Sequence, residues 1–440
     1  MKKTLAKFDT LPFSRLHWKI TLCAGGGSFL DAYILIIIGS ALGDLTKDMA
    51  LDAQWVGIIT SAIFVGLTIG TVLFGYVADR IGRKKLFIFN IFALAACSVA
   101  SALVTTPAEL AAARFFMGLL IGADYPIATS MVAEFTPIKS RAWAMGAIGA
   151  IWYTGGIFAG LAGWLCFGLE ESWRWLLASA VIPCLFVLWG RFSVPESPRW
   201  LIKQGRLAEA GAVFARFGLR AEGDELRTLA DAAEVKTAKT RFSEIFCGAN
   251  LRSLIFCSGI WICQAVPMFA LFTFGPEVLA RFGLAEPREA ILGNVLISFA
   301  FFLGCFPAMW AITVIGRRFV CIASFAVMTA VLLGVLLGAQ ASVLGLAACL
   351  FVYAVASGGP GTLQWLYPNE LFRTQIRATA FGCAMAITRV ATIASTYFMY
   401  PMLEQYGSNF VFMAAFLISA AGLALSVRMA PETKNFSLGG

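Results

Sequence analysis

The sequence predicts an all-α membrane protein of twelve transmembrane helices in two six-helix bundles. Three observations carry that prediction. The 440 residues are 59% hydrophobic and 13% charged, with a mean hydropathy of +0.80, outside the range of a soluble globular chain. The apolar residues fall in runs of roughly 20, the length at which a helix crosses a hydrocarbon core of about 30 Å. The chain also repeats itself. Gly82-Arg83-Lys84 returns as Gly316-Arg317-Arg318, Glu134 and Arg141 as Glu370 and Arg377, and Gly146 as Gly382. Pro195-Glu196-Ser197 returns as Pro431-Glu432-Thr433, in the same order and at nearly the same offset. Two similar halves in a membrane suggest two bundles that rock about a central site.

The first six spans are expected near 18–43, 55–78, 84–104, 108–133, 142–166 and 173–193. The second six are expected near 253–275, 290–312, 318–338, 343–366, 375–398 and 408–429. This divides the chain into an N-terminal bundle (1–193), a polar linker (194–252) and a C-terminal bundle (253–440). In the linker, Trp200, Leu201, Leu207, Ala210, Val213, Phe214 and Phe217 recur at helical spacing between charges. That pattern predicts short amphipathic helices along the cytoplasmic face. The linker is too small for a catalytic domain.

A net charge of +9 suggests nucleic acid only until its distribution is read. Lys and Arg gather at alternate loops, around 2–19, 80–85, 139–141, 191–252, 317–318, 373–377 and 428–434. The opposite loops hold only Lys47, Arg174, Arg281 and Arg288. This is the positive-inside bias, so both termini are expected in the cytoplasm. The basic start carries a long first span with Asp31 inside it, so it is expected to be retained rather than cleaved as a signal peptide. The 11 cysteines lie mostly within spans without a CxxC pair, and read as packing residues. His17 reads as an interfacial residue. No metal site and no cofactor are expected.

Gly75-Tyr-Val-Ala-Asp79-Arg80-Ile-Gly82-Arg83-Lys84-Lys85 joins spans 2 and 3. Its glycines permit a tight turn, and Asp79 can pair with a cation or cap a helix N-terminus. In the second copy Thr313 stands where the acid would be. This stretch resembles the signature of the major facilitator superfamily. Arg114-Phe-Phe-Met-Gly118, Glu134 to Arg141, Pro195 to Leu201, and Gly358-Gly-Pro-Gly361 with Trp365, Glu370 and Arg377 resemble its sugar-porter-related branch, closest to bacterial inner-membrane metabolite transporters. The resemblance implies that Asp79, Arg83, Glu134, Arg141, Glu196, Glu370 and Arg377 form gating ion pairs that hold the inner gate shut in the outward-open state. A single exposed pair contributes only about 0–1 kcal/mol, but a network biases two states.

Ionisable residues inside spans cost on the order of 2.5–3.5 kcal/mol on insertion scales, so each needs a reason. Asp31 lies in span 1, Arg114 and Asp124 in span 4, and Arg389 in span 11. Asp31 is the first candidate for proton coupling and Asp124 the second, because a carboxyl alternately desolvated and paired can take up and release a proton. Gln264 and Trp365 match sugar-binding positions of the sugar porters, but Gly149 replaces the glutamine of their span 5. Arg114, Arg377 and Arg389 match arginines of aromatic-acid/H+ symporters, and Asp31 the first acid of their DGYD motif, with Ile34 replacing the second. A guanidinium pairs well with a carboxylate. The expected substrate-binding residues are therefore Arg389, Arg114, Gln264, Trp365, Tyr33, Asn294 and Gln364.

The expected function is secondary active transport of a small polar metabolite, an organic acid moved with H+ by alternating access. A sugar or sugar-acid/H+ symporter is the alternative, with a facilitator or a transporter-like nutrient sensor behind it. No Walker loop, His cluster or Ser-His-Asp set is present, so an enzyme is not expected. The twofold repeat does not make the residue rings of a channel. The expected partners are the substrate, H+ and the lipid bilayer, with a monomer sufficient and no nucleic acid.

Overall fold

The structure, a computed structural model, describes residues 7–81, 83–219, 242–281, 287–338, 342–372 and 376–433. Some side chains near the motif loops lie outside the description, among them Asp79, Arg83, Arg141 and Arg377.

All twelve expected spans are helices. The first five are α1 (Arg15–Asp48), α2 (Ala53–Ile81), α3 (Arg83–Leu103), α4 (Pro107–Phe135) and α5 (Ile138–Cys166). The sixth is broken into α6 (Ser172–Ser179) and α7 (Val181–Phe192). Pro183 explains the break: it has no N–H for the Ser179 carbonyl one turn back. Two short helices follow, α8 (Pro198–Lys203) and α9 (Leu207–Arg216), then a 3₁₀ turn at Phe242–Phe246. The second set is α10 (Gly248–Arg281), α11 (Pro287–Val314), α12 (Arg317–Leu336), α13 (Val343–Leu371), α14 (Arg377–Tyr406) and α15 (Ser408–Met429). Ten segments among the described residues are long and apolar enough to cross a membrane. Large apolar side chains such as Trp189, Phe186, Leu165, Leu337 and Leu344 point outward, as lipid-facing residues do. The turn between α14 and α15, almost unmarked by polar residues, is made by Gly407 at φ 77°, a conformation open to glycine.

The helices close on each other where glycines remove side chains. Gly66 and Gly70 of α2 meet the backbone of Phe115 and Leu119, while Gly118 and Gly122 of α4 meet that of Ile63 and Leu67. The second half repeats the contact, with Gly304 of α11 meeting the backbone of Val355 and Gly358 of α13 meeting that of Gly304. These small-xxx-small stripes let helix axes approach without a hydrophobic drive between them.

The linker helices α8 and α9 bury their apolar side chains against protein. Ala210, Val213 and Phe214 of α9 and Trp200 and Leu201 of α8 bury into a separate apolar cluster with Phe8, Met131 and Phe135. Phe8 meets Phe214 edge-on at 5.3 Å. The amphipathic pattern is as read; the apolar stripe is covered by protein, because the ends of α4 and of the segment before α1 supply a matching face.

The repeat is visible in hydrogen bonds. Glu196 accepts the Lys84 N–H at 3.0 Å at the start of α3. Glu432 accepts the Arg317 and Arg318 N–H groups, each at 3.1 Å, at the start of α12. Ser197 donates to Glu134, and Thr433 donates to Glu370. Arg317 adds a 3.0 Å pair to Glu370. Each carboxylate sits at a helix N-terminus or beside one, where unpaired N–H groups favour negative charge. All of these bonds stay within one half. Of the expected gating residues, Glu134, Glu196 and Glu370 thus clamp their own bundle here, and the other four lie outside the described side chains.

Between the halves, contact runs through α1 with α10, α2 with α14 and α5 with α11. A Cβ at Gly39 would come within 2.6 Å of the Phe272 carbonyl, and one at Gly57 within 2.5 Å of the Tyr397 carbonyl. Gly160 meets the Val295 side chain at a comparable 2.5 Å. These backbone-level contacts lie at the end opposite the basic motif loops. On the other side of the middle, Gly149 and Gly382 have nothing within 4 Å of a Cβ. The halves close on each other at one end; toward the other, Gly146 of α5 still meets the Met309 side chain of α11 at 2.8 Å.

Candidate functional site

The site is built where helices of both halves cross at mid-depth. From the first half come Asp31 on α1, Tyr125 on α4 and Trp152 on α5. From the second come Phe269 on α10, Trp365 on α13 and Arg389 on α14. Arg389 is buried and reaches across the divide to hydrogen-bond Tyr125. Its guanidinium lies 6.0 Å from the Tyr125 ring and 5.7 Å from the Phe269 ring, within cation–π range. Its Nε makes no hydrogen bond among the described residues.

Asp31 is equally buried. Its charged neighbours are Asp124 first, then Arg191, then Arg389, so Asp31 lies between the Asp124–Arg191 pair of its own half and Arg389 of the other. Aromatic rings wall Arg389. Tyr125 and Trp365 lie nearly parallel, 6.3 Å between centroids at 16°. Trp261 and Phe381 each approach Trp365 at 5.6 Å, and Trp152 meets Phe269 edge-on at 6.0 Å.

Asp124 has a different surrounding from the one expected of a proton carrier. It is closed in a bidentate pair with Arg191, at 2.7 and 2.8 Å. Asn90 donates to it at 3.4 Å, and Arg191 donates to the Phe87 carbonyl at 2.8 Å while covering the Phe87 ring at 3.4 Å. Both side chains are almost wholly buried. Gly27 is the clearance for this pair: a Cβ there would overlap the Asp124 carboxylate and the Arg191 guanidinium. Arg191 was counted among the cations of the loop; the structure places it inside the bundle. It lies one residue before the end of α7, and a long flexible side chain near a helix end can turn inward toward a buried carboxylate as readily as outward.

The remaining expected residues spread out. Gln264, fully buried on α10, donates to Ser357 at 3.1 Å and to the Met268 sulfur at 3.2 Å. Its Oε1 has no partner among the described residues, nor does the Oε1 of Gln364, next to Trp365. Tyr153 shares this neighbourhood, bonded to Gln264 and stacked on Phe301 at 5.6 Å. Asn294 donates to the Phe272 carbonyl at 3.4 Å, at the sealed end. Tyr33 turns away from Arg389: its hydroxyl meets Ser179 on α6 at 2.7 Å. Arg114 lies ten residues before Asp124, about 15 Å along α4. It donates to the Ile34 carbonyl at 2.8 Å, where an acid stands in the motif it resembles, and its Nε has no partner among the described residues. The structure thus gathers Arg389, Trp365, Asp31 and, nearby, Gln264 and Gln364. It sets Tyr33, Asn294 and Arg114 apart. The residues that sequence reasoning missed are Tyr125 and Arg191; the adjacency of Tyr125 to Asp124 was the available signal.

Residues 34–439 match the family model described as Sugar (and other) transporter. The chain belongs to that family. It is a transporter of the major facilitator superfamily, not an enzyme. It is 45% identical over 433 residues to the putative metabolite transport protein YaaU of Escherichia coli, covering 98% of this chain and 96% of that one. It is 31% identical to the inner membrane metabolite transport protein YgcS of the same organism, covering 100% and 96%. More distant relatives include the arabinose-proton symporter of Bacillus subtilis, 26% identical over 100% of this chain and 98% of the relative. The niacin transporter NiaP of Acinetobacter baylyi is 25% identical, over 99% and 98%. In fold, the chain superposes on a partially occluded inward-open conformation of the E. coli xylose transporter XylE. The TM-score is 0.80 at 19% identity, over 96% of this chain and 100% of the other.

Proposed function

We propose that this sugar-transporter family member is an H+ symporter of a small organic carboxylate, working by alternating access in the bacterial inner membrane with both termini cytoplasmic. One observation carries the reading. Among the described residues, the buried charged side chains are Asp31, Arg114, Asp124, Arg191 and Arg389: three guanidiniums against two carboxylates. Asp124 and Arg191 satisfy each other and Arg114 lies apart on α4, so the guanidinium at the centre is Arg389, whose Nε makes no hydrogen bond among the described residues. A guanidinium in a low-dielectric centre favours an anion over a neutral solute. The open space at Gly149, where the sugar porters carry a glutamine, removes one polar contact for a sugar ring.

The coupling is read from these charges. In the resting site Arg389 is one of the two cations near Asp31. A substrate carboxylate that takes Arg389 deprives Asp31 of that partner, and a buried carboxylate without its cation accepts a proton. Substrate and proton then enter together, and the central charge balance is kept while the halves, 1–193 and 253–440, pivot. The sealed contacts at Gly39, Gly57 and Gly160 lie at the outer end under the positive-inside assignment, so the structure corresponds to a state closed outward. A monomer suffices for this cycle. The relatives named for arabinose-proton symport and for niacin, an aromatic acid, are consistent with H+ coupling and with a carboxylate.

The test is a thermal-stability screen of the purified protein against organic acids, sugars and sugar acids. A cognate acid at a hundredfold excess over its Kd stabilises the folded state by about 2.7 kcal/mol, and Arg389→Gln removes the shift. Stabilisation by a neutral sugar, with no acid effective, would establish the second reading, which the unpartnered Oε1 atoms of Gln264 and of Gln364, next to Trp365, favour. For the inner gate, Asp79→Asn is expected to lower uptake with near-normal membrane insertion; wild-type uptake by that variant removes the latch role.

A further inference from the structure

A cavity of about 410 Å³ opens on the lipid-facing surface between α3 and α7, away from the central site. It is lined by Lys85, Ile88, Phe89 and Phe92 on α3 and by Leu188 and Phe192 on α7. The α3 residues follow a helical stripe, and the α7 pair are one turn apart. Because α3 begins and α7 ends at the basic side, Lys85 and Phe192 frame the mouth and Phe92 and Leu188 the floor. Lys85 is the one polar side chain of the six. It is exposed and makes no ion pair among the described residues. Phe89, Phe92 and Phe192 are all more than half exposed. A polar metabolite has no partner along such walls; an acyl chain does, and a phosphate at the mouth gives Lys85 its counter-charge.

We propose that this groove binds one anionic phospholipid of the leaflet at the basic end, its phosphate on Lys85 and an acyl chain along Phe89 and Phe92. The site has a structural consequence. The buried faces of the same two helices carry Phe87 and Asn90 on α3 and Arg191 on α7; Asn90 and Arg191 hold Asp124, and the Phe87 carbonyl accepts from Arg191. A lipid filling the groove braces α3 against α7 behind that buried pair.

The experiment is native mass spectrometry of the full chain in detergent, titrated with phosphatidylglycerol or phosphatidylcholine of identical acyl chains. Wild type is expected to retain one phosphatidylglycerol at about fivefold lower concentration than phosphatidylcholine, the factor for one basic residue at an anionic surface. Lys85→Gln loses the preference, Lys85→Arg keeps it, and Lys47→Gln, at the far end of α1, keeps it too. Unchanged melting without lipid shows that each variant is folded. Equal retention of the two lipids by wild type, or a preference that survives Lys85→Gln, overturns the proposal. So does stabilisation of wild type by inorganic phosphate alone to the extent given by phosphatidylglycerol.

Discussion

Asp31→Asn abolishes accumulation driven by a pH gradient while exchange of substrate between the two sides continues. The asparagine keeps the shape and hydrogen-bonding reach of the carboxyl but holds no charge to neutralise. Arg389 then stands without its carboxylate in every state of the cycle. Substrate binding no longer displaces a negative charge, so no proton is taken up with it, and uptake runs only to equilibrium. The measurement is uptake into proteoliposomes with and without an imposed pH gradient, beside counterflow in the same vesicles. Gradient-driven accumulation at the wild-type level by this variant removes Asp31 from the coupling step. An exchange rate that falls along with accumulation assigns it to substrate binding or folding instead.

Arg191→Met destabilises the protein by about 3–5 kcal/mol, the range for removing one partner of a buried ion pair. The loss is not the worth of the pair. It is the penalty of leaving Asp124 charged in a dry interior, with only Asn90 donating at 3.4 Å. The double variant Arg191→Met/Asp124→Leu therefore recovers much of the stability, because a similar volume of apolar side chain replaces both charges. Gly27→Ala reaches the same pair from α1, since its methyl would occupy the space of both side chains. Denaturation curves of the three variants in one detergent decide the matter. A double variant no more stable than Arg191→Met means that the two residues act separately.

Asp124 shows what a single sequence leaves open. An acid inside a span is a reason to suspect function, and Asp31 and Asp124 look alike in one dimension. What distinguishes them is their neighbours. Arg191 sits far along the chain, at the end of a span and beside a basic loop, where its charge reads as a topology signal. Only the packing of α7 against α3 and α1, which brings Asp124 of α4 within reach, shows the guanidinium turned inward. Tyr33 is the converse case: an aromatic one turn-face away from Asp31 was expected in the site, yet a helix residue two positions on points to another side, toward Ser179.

The sequence by itself determined the membrane-spanning helices, their twofold repetition and the presence of central charges. All of these are written in local composition and spacing, because a lipid environment forces backbone groups into helices wherever a long apolar run occurs. Tertiary structure alone decided which charges neutralise each other, which rings enclose Arg389, which end of the two bundles is shut and what covers the linker helices. Those outcomes depend on distances between residues far apart in the chain, and the cost of an unpaired charge in a dry interior is what selects among them.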